Sequence, residues 1–214
     1  MQLKIPATSN KEGRIFNTIL LLQPVVVRWR KESKPGAMAN TLKDKLTASN
    51  RHIAKTVSSS IGISGTPEIV WDNITNVRIE QFSDPVIFKL LGIPRPLRAE
   101  LLTKGAGGQR IAYFNTGKRF VQEITTWKPL QEYSFNFNPE KGFTVGYFFD
   151  ISDGIFRVPN GAYFLEEKGD EIALHLSTTY SLDKRVYYLF TIPVRIILKA
   201  FQQYLLRSIK KNSE

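Results

Sequence analysis

The sequence predicts an α+β domain in which one long C-terminal helix crosses a curved antiparallel sheet of about seven strands, with two short helices after the first strand. Three observations carry this. Between Asp183 and Lys211, Val186, Phe190, Val194, Ile197, Phe201 and Leu205 recur at spacings of three and four, which is one face of an α-helix, with Arg195, Lys199, Gln203 and Lys210 on the far side. Burying such a stripe contributes roughly 1.5–3 kcal/mol per large side chain before entropy costs. Beyond Arg98 the pattern turns to short alternating runs split by Gly, Pro, Asn and Asp, the mark of antiparallel strands. Finally, the helical stretches stand apart from the strands in chain order, and a twisted sheet that curls round one helix leaves a concave space. A plain core helix with no space behind it is the alternative.

Taken in order, residues 1–50 read as a basic extension. An apolar run from Ile15 to Val27 is bounded by Arg14 and Arg28. It is shorter than the about 20 residues a membrane-spanning helix needs, and Pro24 interrupts it. As a signal peptide it is a poor match, because Arg28, Arg30, Lys31, Glu32 and Lys34 separate it from the small residues Gly36 to Ala39. The residues leave open a docked strand or short helix, and a functional product that starts at Met38. From Thr41 to Asn50 only Leu42 and Leu46 keep a weak helical rhythm.

A single folded domain is expected over residues 51–212. In its first strand, from about His52, Ile53, Lys55, Val57, Ser59, Ile61 and Ile63 share one parity. Thr66 is a natural N-cap and Pro67 suits the first helical position, so Pro67–Asn76 is expected to be a helix with Val70, Trp71 and Ile74 inward. A second short helix, about Asp84 to Leu91, ends at Gly92, with Pro94 and Pro96 beyond it. Strands are expected at Glu100–Thr103, Gln109–Asn115, Arg119–Trp127, Glu132–Asn138, Gly142–Ile151, Asn160–Glu166 and Glu171–Ser181. Thr116-Gly117, Lys128-Pro129-Leu130, Ser152-Asp153-Gly154 and Lys168-Gly169-Asp170 supply the turns.

Composition narrows the chemistry. With no Cys in 214 residues, disulfides, thiolate metal sites and cysteine nucleophiles are excluded, and two His cannot build a multi-histidine centre. No metal or cofactor is expected. Residues 1–60 carry 11 Lys and Arg against 3 Asp and Glu, so most of the net charge of +11 sits on the N-terminal segment. Such an arm can follow anionic lipid or phosphate. A membrane surface is the expected partner if the arm acts at all, and specific nucleic-acid binding is not expected. The expected location is cytoplasmic, peripheral to a membrane where the arm engages lipid.

The ordered set of motifs resembles the START-like (SRPBCC) superfamily of polyketide cyclase/dehydrase and lipid-transport proteins, with the helix-grip fold. It runs from Gly65-Thr66-Pro67-Glu68-Ile69-Val70-Trp71-Asp72 through Asp84-Pro85 and Gly105-Ala106-Gly107-Gly108-Gln109-Arg110. It continues with Glu123-Ile124-Thr125-Thr126-Trp127-Lys128-Pro129 and Tyr133-Ser134-Phe135, and closes with the Leu165–Tyr180 hairpin and the terminal helix. The resemblance covers residues 55–210 and implies a deep apolar cavity for a lipid, sterol, polyketide or similar molecule. It implies no fixed catalytic residue, so it supplies a ligand class rather than a reaction.

Aromatic residues on the strands are the leading site candidates. Tyr113, Phe135, Phe137, Tyr147, Tyr163 and Tyr180 are expected to face Val194, Ile197 and Phe201 across the cavity, as ligand walls with a few orienting hydroxyls. The enzyme alternative is a cyclase or dehydratase-like activity, with Glu123 as a buried acid or base; an outward Glu123 paired to a Lys or Arg is the competing reading. His175, between Leu174 and Leu176, is expected to point outward. The glycine loop at residues 105–108 lacks a P-loop ending and precedes a strand, so a rim loop is preferred to a phosphate cradle. Asp150 and Asp153 read as turn residues, and Ser58 to Ser60 have no His and Asp arrangement for hydrolysis. Ile192, Ile196 and Leu206 fall off the helix stripe and are expected to form a membrane- or partner-facing patch unless the apolar run near the N-terminus covers them.

Overall fold

The computed structural model describes residues 51–214 except Glu80, Phe148, Ser152 and Asp153. The expectations for residues 1–50, and for the Ser152-Asp153 part of a turn, lie outside the described residues.

Strand β1 (His52–Ile63) is followed by helices α1 (Pro67–Thr75) and α2 (Val86–Leu91). Then come β2 (Pro96–Leu101), β3 (Gln109–Phe114), β4 (Arg119–Lys128), β5 (Glu132–Pro139), β6 (Thr144–Val145) and β7 (Phe149–Asp150). The long hairpin of β8 (Phe156–Lys168) and β9 (Glu171–Asp183) leads into α3 (Tyr187–Ser213). Seven strands form one antiparallel sheet in the order β1-β9-β8-β5-β4-β3-β2, while β6 and β7 pair separately. This is the α+β helix-grip architecture expected from the sequence, with α3 packed on β1 and β9. Register shifts in β2 between Pro96 and Arg98, in β4 between Ile124 and Thr126, and in β8 between Arg157 and Asn160 bend the sheet.

Local chemistry sets the helix ends. Thr66 has extended backbone, and its hydroxyl accepts from the Ile69 amide at 3.4 Å, with Pro67 beginning α1. Val70 and Ile74 are buried and Trp71 is partly so, packed on the core. Helix α2 stops at Gly92, whose φ of 60° is the left-handed cap that glycine adopts freely.

Helix α3 differs from the sequence expectation in three ways. It begins at Tyr187 rather than near Asp183, because Asp183 ends β9 and its buried carboxylate is held by Arg51 and Arg185. Its buried line runs through Val194, Leu198, Gln202, Leu205, Leu206 and Ile209, while Phe190, Ile197 and Phe201 form a half-buried flank. Leu206 is fully buried rather than part of a surface patch, whereas Ile192 and Ile196 are exposed as expected. The polar Gln202 sits inside because every group of its amide is satisfied. Nε2 donates to the Val57 carbonyl at 2.9 Å and the Thr178 hydroxyl at 3.0 Å, and Oε1 accepts from Ser59 at 2.9 Å.

The far end of α3 is tied down by polar contacts as well. Lys210 Nζ donates to the Gly62 carbonyl at 2.7 Å, Glu214 accepts from the Ser64 amide at 3.0 Å, and Asn212 donates to the Arg78 carbonyl at 2.7 Å.

The expected strand at Gly142–Ile151 is instead a small hairpin. Gly146 and Tyr147 both have φ of 67°, which breaks the extended run and returns the chain on itself. The second strand of the sheet begins at Pro96, earlier than the expected Glu100.

Candidate functional site

Alternation along the strands builds an aromatic wall on the concave face of the sheet. On β3, Arg110, Ala112 and Phe114 are buried; on β4, Phe120, Gln122 and Ile124; on β5, Tyr133 and Phe135. Phe114, Phe120 and Phe143 meet with ring centroids 4.3–4.9 Å apart, and Phe120 continues to Phe137 at 5.5 Å and Phe137 to Phe135 at 5.0 Å. Such tilted and edge-on contacts are the favoured aromatic geometries. On β8, Gly161 stands opposite Phe135 in register, and a Cβ there would come within 3.2 Å of the Phe135 and Phe137 rings. Glycine at this point is what lets the two rings lie against the strand.

Between this wall and α3 is an interior cavity of about 110 Å³. The sheet contributes Ala112, Phe114, Phe120, Phe135, Phe137 and Leu176, and α3 contributes Ile197, Leu198, Phe201 and Leu205. Ile93, Pro94 and Pro96 after α2, with Phe143, Val145 and Ile151 around the small hairpin, close one side. Arg98, half exposed and paired with Glu100 at 2.8 Å, stands at the rim.

The lining residues with polar side chains are few: Arg110, Gln122, Thr178 and Tyr163, besides Arg98. Arg110 Nη1 donates to Gln122 Oε1 at 3.1 Å, and the guanidinium lies 5.6 Å from the centre of the Tyr133 ring. Neither Arg110 Nε nor the Tyr133 hydroxyl, both buried, completes a hydrogen bond. Burial pushes the Tyr163 hydroxyl up to about 12, and raises that of Tyr133 too, while the positive Arg110 works against both shifts. Both phenols are therefore neutral, and Tyr163 can offer a proton to an acceptor without giving it up.

Five of the nine residues proposed from the sequence, Phe135, Phe137, Tyr163, Ile197 and Phe201, come together on this cavity. The other four lie elsewhere. Tyr113 falls on the opposite face of β3 from Ala112 and Phe114; its hydroxyl donates to Glu100 at 3.3 Å under the Arg98 guanidinium. Tyr180 is buried toward the start of α3, 3.4 Å from the Thr191 hydroxyl, and Val194 is packed in the core. Tyr147 is exposed and clasps the end of α2: its hydroxyl donates to the Lys89 carbonyl, and its ring lies against Gly92.

Glu123 is exposed on the outer face of β4. His175 is half exposed, 3.5 Å from Glu166, as its outward parity predicts. The glycine loop pairs back onto β4, with Gly107 donating to the Ile124 carbonyl at 2.8 Å. Sequence reasoning missed Arg110, Gln122 and the phenylalanines Phe114, Phe120 and Phe143. The signal was there for β3, where the parity of Ala112 and Phe114 also carries Arg110 inward.

No family model and no curated protein matches the chain. Solved structures similar to it include protein TTHA0849 from Thermus thermophilus, at 17% identity over 74% of this chain and 97% of that one, with a TM-score of 0.48. Norcoclaurine synthase from Thalictrum flavum is 10% identical over 75% of this chain and 94% of that one, with a TM-score of 0.46. Ara h 8.0201 is 13% identical over 74% and 97%, with a TM-score of 0.44. The agreement with the START-like superfamily is one of fold. Independently of those scores, it lies in the order of strand, two short helices, strands and long helix, and in the antiparallel sheet that α3 packs on.

Proposed function

We propose that the domain over residues 51–212 binds a small, largely apolar molecule between the aromatic wall and α3. The observation that supports this reading is the cavity itself, walled by rings and aliphatic side chains with few polar groups. Its volume of about 110 Å³, below the roughly 150 Å³ of a void that holds benzene, is closer to the size of one ring than to that of an acyl chain. A lipid or polyketide-like guest enters only if the small hairpin and the start of α3 move apart. Binding is preferred to turnover because none of the described lining residues is a carboxylate or an imidazole, and Glu123 faces away.

The test is an NMR titration of the full chain with toluene, following the methyl groups of Leu176, Ile197 and Leu198. Saturable shifts are expected, and Ala112→Phe, which fills the cavity from β3, is expected to abolish them. Absence of saturable shifts with toluene and with its ring-carboxylate analogue benzoate alike, or unchanged binding by Ala112→Phe, would refute the reading.

A second reading, contact with a membrane surface, is favoured by one feature. Tyr188, Leu189, Ile192 and Ile196 are exposed at the start of α3, beside Arg195 and Lys199. No helix among the described residues is long and apolar enough to cross a membrane.

A further inference from the structure

Arg110 is the one charge in the cavity wall for which the described residues supply no counter-charge. Its residue exposure is 3%, and it forms no ion pair with a described carboxylate. Its partners are a neutral amide, Gln122 at 3.1 Å, and the face of Tyr133, and Nε is left without an acceptor. A guanidinium carries five donors in a planar fork and stays protonated in proteins. Buried charges are as a rule paired, because removing them from water unpaired is among the most expensive things a fold can do. An Arg kept inside an apolar chamber beside Gln122 and a proton-bearing Tyr163 hydroxyl therefore lacks one thing: an acceptor with negative charge. The chamber is where such an acceptor would sit, since Arg110, Gln122 and Tyr163 all line it.

We propose that the cavity selects a small monocarboxylate whose apolar ring lies against Phe135, Phe137 and Leu198 and whose carboxylate is held by the Arg110 fork. The proposal rests on the reading that the cavity takes a guest, and adds the charge of that guest. Gln122 orients Arg110 by accepting from Nη1, and Tyr163, which lines the same cavity, carries a second donor. Planar, two-oxygen acceptors match the guanidinium fork, which is why a carboxylate is favoured over a neutral amide or alcohol of equal size.

The experiment compares three molecules built on one ring, benzoate, benzamide and toluene, by calorimetric or NMR titration of the full chain at neutral pH. Benzoate is expected to bind about 10- to 100-fold more tightly than either neutral compound, the range for a charge-assisted hydrogen bond. Gln122→Glu places a carboxylate of the same shape against Arg110; benzoate affinity is expected to fall at least about 10-fold, and by more than toluene affinity changes. Arg110→Met is expected to give the same pattern, and if it does not fold the Gln122→Glu result decides. Toluene binding with no preference for benzoate overturns the charge assignment and leaves the apolar-cavity reading standing. Binding of none of the three overturns both, and a benzoate preference that survives Gln122→Glu overturns the role of Arg110.

Discussion

At the scale of single residues, several of the buried polar groups are held inside by named partners. Asp183 is an example away from the cavity. Its carboxylate accepts from Arg185 Nε and Nη2 at 3.0 and 2.9 Å, from the Arg185 amide at 3.0 Å, and from Arg51 Nε at 2.6 Å. The Arg185 side chain and amide, aided by Arg51, hold this carboxyl far below the usual carboxylate range. An Asp in the unfolded chain titrates near about 4. The stabilisation is therefore complete above that pH and is lost as the pH falls toward the depressed native value. The urea midpoint of the native protein is expected to drop below about pH 4, and Asp183→Asn to flatten that acid limb while lowering the midpoint at pH 7. Equal slopes in the two proteins would contradict this. The interior polar residues were the least legible in the sequence. Chemical type alone sends Gln202 and Arg110 to the surface, against the strand parity in the case of Arg110, whereas the structure keeps them inside by supplying Val57, Thr178 and Ser59 to one and Gln122 to the other. Tyr113 failed in the opposite sense: its ring suggested a wall, but the parity of Phe114 put it outside.

At the scale of elements, the join between α2 and the small hairpin is the part most sensitive to one atom. Gly146 donates to the Gly92 carbonyl at 3.0 Å, and a Cβ on Gly92 would meet the Tyr147 ring at 2.7 Å. Gly92→Ala is expected to cost about 1–2 kcal/mol from the left-handed backbone alone. Because it also displaces Tyr147, it is expected to speed exchange of a bound guest. Tyr147→Phe removes only the hydroxyl contact to Lys89 and is expected to cost less, about 0.5–1.5 kcal/mol. Denaturant midpoints and ligand exchange rates of the two variants check both statements; equal effects would mean that the ring contact with Gly92 does not matter. Helices α1 and α2 were legible because Thr66, Pro67 and Gly92 carry their end signals in the local sequence. The hairpin was not, since Gly142–Ile151 reads as one strand until the positive φ of Gly146 and Tyr147 is known.

At the scale of the whole molecule, the succession of elements along the chain and the long helix were legible from alternation and spacing, while the order of strands within the sheet was not. The cavity came only with the superfamily resemblance, because whether side chains fill a concave space depends on their sizes in three dimensions. The exposed start of α3 gives the membrane reading its measurement. The 214-residue chain is expected to sediment with vesicles of mixed phosphatidylcholine and phosphatidylglycerol, and the pair Ile192→Asp and Ile196→Asp to reduce the bound fraction several-fold. Undiminished sedimentation of that variant would remove α3 from any such contact.

Pro193 gives α3 an uneven character along its length. Lacking an amide proton, it cannot close the usual bond to Leu189, so the first turns are joined to the remainder by a weakened step. Downstream, Gln202 and Lys210 rivet the rod to β1. The upstream turns rest instead on side-chain packing, with the Phe190 ring edge-on to Phe149 at 4.9 Å and Val194 in the core, so the two halves of the rod are anchored by different chemistry.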